Sequence, residues 1–229
     1  MNNIFAALPF VEQLRFFKAK VNLPTETYHD TVGQQHNDAF VVAGANRQDM
    51  IDDFREAVNA AIEDGETIEQ FRERFDEIVG KYGWDYNGGR NWRSRIIYET
   101  NLYSSYQAGR YEQQKDLTDI LPYWRYVHND SLHPRPVHQS WHGKVLRADD
   151  PWWNTHYPIN AYNCHCTVEA LDDDDLQVEG WTLSEAPPIE YEIKTIGVRS
   201  GNPKIVSVPV GLDYGFDHIP GQYNYGDKQ

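Results

Sequence analysis

Cysteine is almost missing from this chain: 229 residues contain 2, at positions 164 and 166. With one residue between them a disulfide would close a strained ring, so neither a secreted disulfide framework nor dithiol redox chemistry is favoured. Long apolar runs are missing too. No stretch approaches the roughly 18–20 apolar residues of a membrane helix. The opening MNNIFAALPFVEQLRFF has no basic stretch leading into a cleavable apolar segment. The chain is therefore expected to be soluble, made in the cytoplasm, and without a membrane partner. Positive charge is scarce, with 21 Lys and Arg against 35 Asp and Glu and a formal net charge of -14. So acidic a chain repels phosphate backbones at long range, and any DNA contact has to be local. The candidate patch is Arg90, Arg93, Arg95, Arg110 and Lys115, which reads more simply as a solvated helix face paired with Glu99 and Glu112.

What is present is a globular composition, 40% hydrophobic and 14% aromatic. It suffices for one large domain or two small ones that bury roughly 70–75% of the unfolded surface. The pattern along the chain predicts an α+β fold in four segments. Residues 1–45 form an N-terminal arm, with a short amphipathic helix carrying Phe10, Leu14 and Phe17, then an irregular stretch whose His29 and His36 read as surface residues. Residues 46–121 are helical. Asn46 is placed to cap a helix with Ile51, Phe54, Val58, Ala61 and Ile62 on one stripe, ended by Asp64 and Gly65. Thr67 and Gln70 have capping-box spacing at the head of a second helix, with Ile68, Phe71, Phe75, Ile78 and Val79 on its apolar face and Gly80 and Gly83 as stops. The loop is so short that the two should pack antiparallel. A long helix follows over 91–116, with Trp92, Ile96, Tyr103 and Tyr106 near the helical period. Glu99, Thr100 and Asn101 interrupt it, Glu99 reading as solvated or paired with Arg95.

From Pro122 the texture changes to Trp, Tyr, His, Pro and Asp. Residues 122–180 read as a small irregular domain. YWRYVHN (123–129) alternates like a half-buried strand, short strands are expected near 143–146 and at 167–171, and the acidic run 172–175 reads as a solvated loop. Residues 181–229 form an extended Pro- and Gly-rich tail with a strand-like KIVSVP (204–209), expected to lie over the preceding domain.

Chemistry concentrates between positions 128 and 166. His128, His133, His138, His142, His156 and His165 fall there with both cysteines and with Asp130, Asp149 and Asp150. Thiolate and imidazole are the ligands tetrahedral zinc prefers, and a C-x-C in extended chain points both sulfurs to one face. The same pattern suits two buried thiols among hydrogen-bonded histidines. A third reading is a metal-dependent nuclease, with His138 and Asp130 conceivable at its centre. It would need a basic substrate groove that the overall charge does not supply.

The segment YWRYVHNDSLHPRPVHQSWHGKVLRADDPWWNTHYPINAYNCHC resembles the signature of the phage Mu F-like minor head proteins, also known for SPP1-type head morphogenesis proteins. The matching positions are Asp130, Arg135, His138, Gly143, Asp150, Pro151, Pro158, Cys164 and Cys166. Upstream, Glu99, Thr100 and Asn101 resemble the polar core of that family's long helix, and VPVGLDYGFDHIPG is similar to its usual ending. Relatives carry Cys-x-x-Cys and His-Pro-x-Cys-x-Cys in these places, which looks like a four-ligand zinc site. Here Arg135 stands for the first thiol, His138 for the second and Ala161 for the histidine, while His165 replaces the Arg between the cysteines. The resemblance thus implies a possible zinc site of His138, Cys164 and Cys166 with His133 or His142 as fourth ligand. The alternative is a site knit instead by Arg135 bonded to Asp130.

The resemblance further implies a non-enzymatic minor head protein of a tailed phage or prophage. Its partners would be the portal and the capsid or scaffold proteins, its place the virion head interior or portal region. Its task would be head morphogenesis, DNA packaging or ejection. The rivals are a nuclease or toxin-like enzyme using the His/Asp/Cys cluster, and a DNA-binding accessory using the basic patch. Toxin domains are sometimes fused to family members, and this chain is expected to end where such a fusion would begin.

Overall fold

The computed structural model describes residues 10–129, 133–198 and 201–222. Its elements run in the order α1 (Val11–Ala19), β1 (Val21–Asn22), α2 (Gln35–Asp38), β2 (Ala39–Phe40), α3 (Gln48–Glu63), α4 (Ile68–Tyr82), α5 (Arg90–Asp116) and β3 (Tyr123–Val127). There follow α6 (Pro136–Trp141), β4 (Val145–Arg147), α7 (Trp153–His156), β5 (Thr167–Leu171), α8 (Asp173–Glu179), β6 (Tyr191–Ile196) and β7 (Lys204–Pro209). The fold is α+β, as the pattern predicted.

Two cores lie along α5. The first collects the apolar stripes of α3 and α4, with Ile51, Phe54, Phe71, Phe75 and Ile78, and takes Phe17 from α1 and Phe40 from β2. The second is aromatic, built from Trp124, Tyr126, Trp141, Trp152, Trp153 and Tyr157. Ile97 of α5 enters the first core and Tyr111 the second, so one 27-residue helix holds both together.

That double duty explains why the expected apolar stripe of α5 fails. Trp92 is 53% exposed and the buried face is instead Arg93, Ser94, Ser105, Gln107, Ala108, Gly109 and Gln114 with Ile97 and Tyr111. The polar members have specific work. β5 is an outer strand of an antiparallel sheet ordered β4-β3-β5. The carbonyls of Cys166 and Val168 accept from the Gln107 and Gln114 side chains at 3.0 and 2.7 Å. Buried strand backbone needs such donors, so glutamine is favoured over leucine there. Gly109 lets α1 approach, because a Cβ there would stand 2.8 Å from the Gln13 backbone nitrogen.

Local signals hold in part. The Thr67–Gln70 capping box heads α4, and that helix runs through Gly80 to end at Gly83, whose φ of 60° is the left-handed cap. Asn46 caps nothing: Arg47 occupies the cap position of α3 and the Asn46 amide donates to Glu26. His29 is buried and His36 half-buried, against the surface expectation, because the 20–45 segment folds back over the helical core. The acidic run is a helix start rather than a loop. Asp172 and Asp175 form a capping box for α8, which ends at Gly180 in the left-handed region. The tail does lie over the aromatic domain, but β6 pairs with β7 as a hairpin, and Val208, Leu212, Phe216 and Ile219 enter the aromatic core.

Candidate metal centre and adjoining cleft

His138 sits on α6, whose start is set by Pro136 at its first position. Its ring stacks on Trp141 at 5.0 Å and its Nε2 lies 2.8 Å from the Gly211 carbonyl. A carbonyl only accepts, so Nε2 carries the proton and Nδ1 presents its lone pair. Nδ1 faces Cys164 Sγ at 3.7 Å and Cys166 Sγ at 3.6 Å. The cysteines are placed by a turn: Cys164 N–H donates to Ala161 O, Asn163 takes φ of 56°, and β5 begins only at Thr167. NCHC is thus a turn leading into a strand, not a strand itself.

All three ligand atoms lie within 4.8 Å of one another. With metal–sulfur and metal–nitrogen bonds of about 2.3 and 2.0 Å, tetrahedral geometry puts such atoms about 3.5–3.8 Å apart. The three donors, with the Gly211 carbonyl holding the His138 ring in place, therefore fit zinc. The Cys164 thiol is held well below its ordinary range, chiefly by a hydrogen bond from Cys166. The Cys166 thiol is pushed up by that contact and by burial. A divalent ion bound there would favour the thiolate form of both sulfurs.

The structure does not bring the expected fourth ligands to the centre. His133 is exposed and outside the cluster. His142 is exposed and its Nδ1 accepts from the His128 backbone at 3.0 Å. Among the described residues, His128 brings its Nδ1 to 3.3 Å from Cys166 Sγ, outside the group of three ligand atoms that all lie within 4.8 Å of one another. The alternation of β3 held the clue, since His128 shares a face with the buried Trp124 and Tyr126. Arg135 donates to Tyr162 O at 2.9 Å and pairs with Asp213 at 3.4 Å. Asp130 lies outside the described residues. Gly211 and Asp213 come from the tail, and no spacing rule links them to the cluster.

The remaining signature residues are structural joints. Gly143, at φ of 80°, donates its N–H to Tyr126 O at 2.9 Å, turning the chain into β4. Asp150 accepts from Trp152 N–H at 2.9 Å, shaping the turn before α7. Glu99 lies 3.7 Å from both Arg95 and His165, tying α5 to the NCHC turn. Asn101 donates to Ile97 O at 2.9 Å. Thr100, Asn101 and Arg135 all line one cleft of about 830 Å³ between the 20–44 segment, α5 and the 215–220 loop.

His138, Cys164 and Cys166 are 1%, 3% and 2% exposed. Burial to this degree keeps solvent from the three atoms, as in structural zinc sites, whereas catalytic zinc keeps a position open to water and substrate. The basic residues do not make a common patch. Arg90 pairs with Asp76 at 2.5 Å, Arg95 with Glu99, and Arg110 donates to Gln113. Arg93 is buried against the Ala43 carbonyl and the Trp84 ring, and Lys115 lies over Tyr111. Among the described residues no helix is long and apolar enough to cross a membrane.

Against known families, the sequence profile described as "Phage Mu protein F like protein" matches residues 52–169, more than half the chain. The chain is 32% identical over 215 residues, 88% of its length, to the "Mu-like prophage FluMu F protein" of Haemophilus influenzae, covering 52% of that protein. It is 36% identical over 180 residues, 72% of its length, to the "Putative capsid assembly protein F" of Escherichia phage Mu, covering 41% of that protein. The chain therefore spans about half or less of these relatives. No solved structure matches it.

Proposed function

Since this chain belongs to the family of phage Mu F-like proteins, we propose that it is a minor head component of a tailed phage or prophage. It acts in head morphogenesis beside the portal and the capsid or scaffold proteins, and through that position in DNA packaging or ejection. The observation that carries this reading is the alignment of 72% of the chain with a capsid assembly protein. The virion head is the location it implies. Turnover chemistry is not part of the reading, because the His138–Cys164–Cys166 cluster is buried and the arginines of the candidate DNA patch are engaged within the fold. Mass spectrometry of purified heads from cells making the parent phage should find this chain at low copy, and deleting its gene should leave heads misassembled or empty. DNA-filled heads in its absence would overturn the proposal.

Within that role, His138, Cys164 and Cys166 would hold zinc, with His128 as the fourth donor, and the ion would supply a cross-link between α6, the NCHC turn and β3. Protein purified without added metal is expected to contain about one zinc per chain. Cys164→Ser should release it and lower the melting temperature. Zinc-free wild-type protein with an unchanged melting curve after chelation would return the cluster to packing alone.

A further inference from the structure

Among the described residues the β6–β7 hairpin is two-stranded, so there each strand has one edge without a strand neighbour. The register decides which backbone groups face outward. Val210 N–H donates to Glu190 O at 2.8 Å, so the even-numbered positions of β6 turn their N–H and C=O toward β7. Tyr191, Ile193 and Thr195 turn theirs away, and among the described residues nothing hydrogen-bonds to them. The two edges are not equivalent. Pro209 sits at an outward position of β7, where it removes a donor and blunts that edge. β6 has no proline, and its outward face is apolar: Tyr191 is 61% exposed, Ile193 72%, and the cross-strand Ile205 77%. A bare apolar strand edge of this kind is a template for another strand.

We propose that the open edge of β6 pairs antiparallel with β6 of a second copy of this chain, in register about Ile193. This occupant is singled out by self-complementarity. With Ile193 on the two-fold axis, Tyr191 stands opposite Thr195 of the other copy, both at outward-bonding positions, and about six backbone hydrogen bonds form. The same register sets Glu192 against Lys194 of the second copy, twice, at the closer non-bonded positions. Both side chains remain accessible, at 44% and 34% exposure in their ion pair within the strand. The result is a four-stranded sheet that covers the edge and joins two apolar faces. One six-residue strand buries less than the roughly 800 Å² per partner of a stable dimer, so the association is weak, in the micromolar range or above. Repulsion between two chains of charge -14 makes it stronger at higher salt.

The experiment is sedimentation velocity on the full chain over a concentration series to about 0.5 mM. Wild type should dimerise reversibly. Ile193→Pro should weaken the dimer at least about tenfold while leaving the hairpin intact, because the lost N–H bonds nothing within the monomer. Glu192→Lys and Lys194→Glu should each remain monomeric by like-charge opposition, and their equimolar mixture should recover a 1:1 heterodimer. A wild type that stays monomeric, a dimer that survives Ile193→Pro, or a mixture that fails to associate would each overturn the pairing. Recovery in the mixture can only come from folded chains, so it decides the matter even where a single variant is destabilised.

Discussion

At the scale of single residues, the side chains that hold this protein together include several that a hydrophobicity pattern would discard. Gln114 is 2% exposed. Its amide donates to Val168 O at 2.7 Å, and its carbonyl accepts from the Tyr157 hydroxyl at 2.8 Å. Gln114→Leu keeps the volume but orphans a buried carbonyl and a buried hydroxyl, each costing about 1–3 kcal/mol. We expect urea unfolding to report a loss of several kcal/mol, against a near-neutral Gln113→Leu control on the same helix. The cysteines follow the same lesson. Their meaning is set by Nδ1 of His138, and the tautomer that frees Nδ1 is set by the carbonyl of Gly211, 73 residues further along.

At the scale of elements, local codes worked where they were complete within a few residues. The capping box of α4 is one: Thr67 accepts from the Gln70 N–H and Gln70 accepts from the Thr67 N–H. Thr67→Ala should cost about 1 kcal/mol, read as a lower urea midpoint with unchanged slope. The Asp172–Asp175 box of α8 has the same logic and was hidden only because four successive aspartates resemble a solvated loop. α5 misled for the opposite reason. Its period is helical, but two cores and a strand edge claim different faces along its length, so no single apolar stripe exists to be read.

At the scale of the whole molecule, burial of bases sets the response to acid. The rings of His36 and His218 are pushed from 6.5 to about 4 and about 3, chiefly by burial, then by Lys20 for His36 and by His36 for His218. The unfolded chain therefore binds more protons than the folded one below pH 6.5, and stability falls as pH drops from about 7 toward 4. Each group contributes a slope of about 1.4 kcal/mol per pH unit within its window. Lys20, lowered to about 7 chiefly by burial, acts with the same sign at higher pH, so stability keeps rising above neutrality. Thermal unfolding followed by circular dichroism between pH 7.5 and 4.5 should show a falling midpoint, and His218→Phe should flatten the slope. A midpoint independent of pH would show that these rings are not buried bases.

The sequence by itself determined the fold class, the α3–α4 pair, the strands of the aromatic domain and the candidacy of His138, Cys164 and Cys166, which the fold brings together, because periodicity, caps and a dense motif are encoded within short windows. It also carried the family through the Glu99–Asn101 and Asp130–Cys166 patterns. Only the tertiary structure decided what those residues touch. His128 rather than His133 or His142 neighbours the Cys166 sulfur, Arg135 pairs with Asp213, and the tail supplies Gly211 and both strands of a hairpin. Each of these is a contact between positions far apart in the chain. Their energies come from burial, and burial exists only after the two cores have closed on α5.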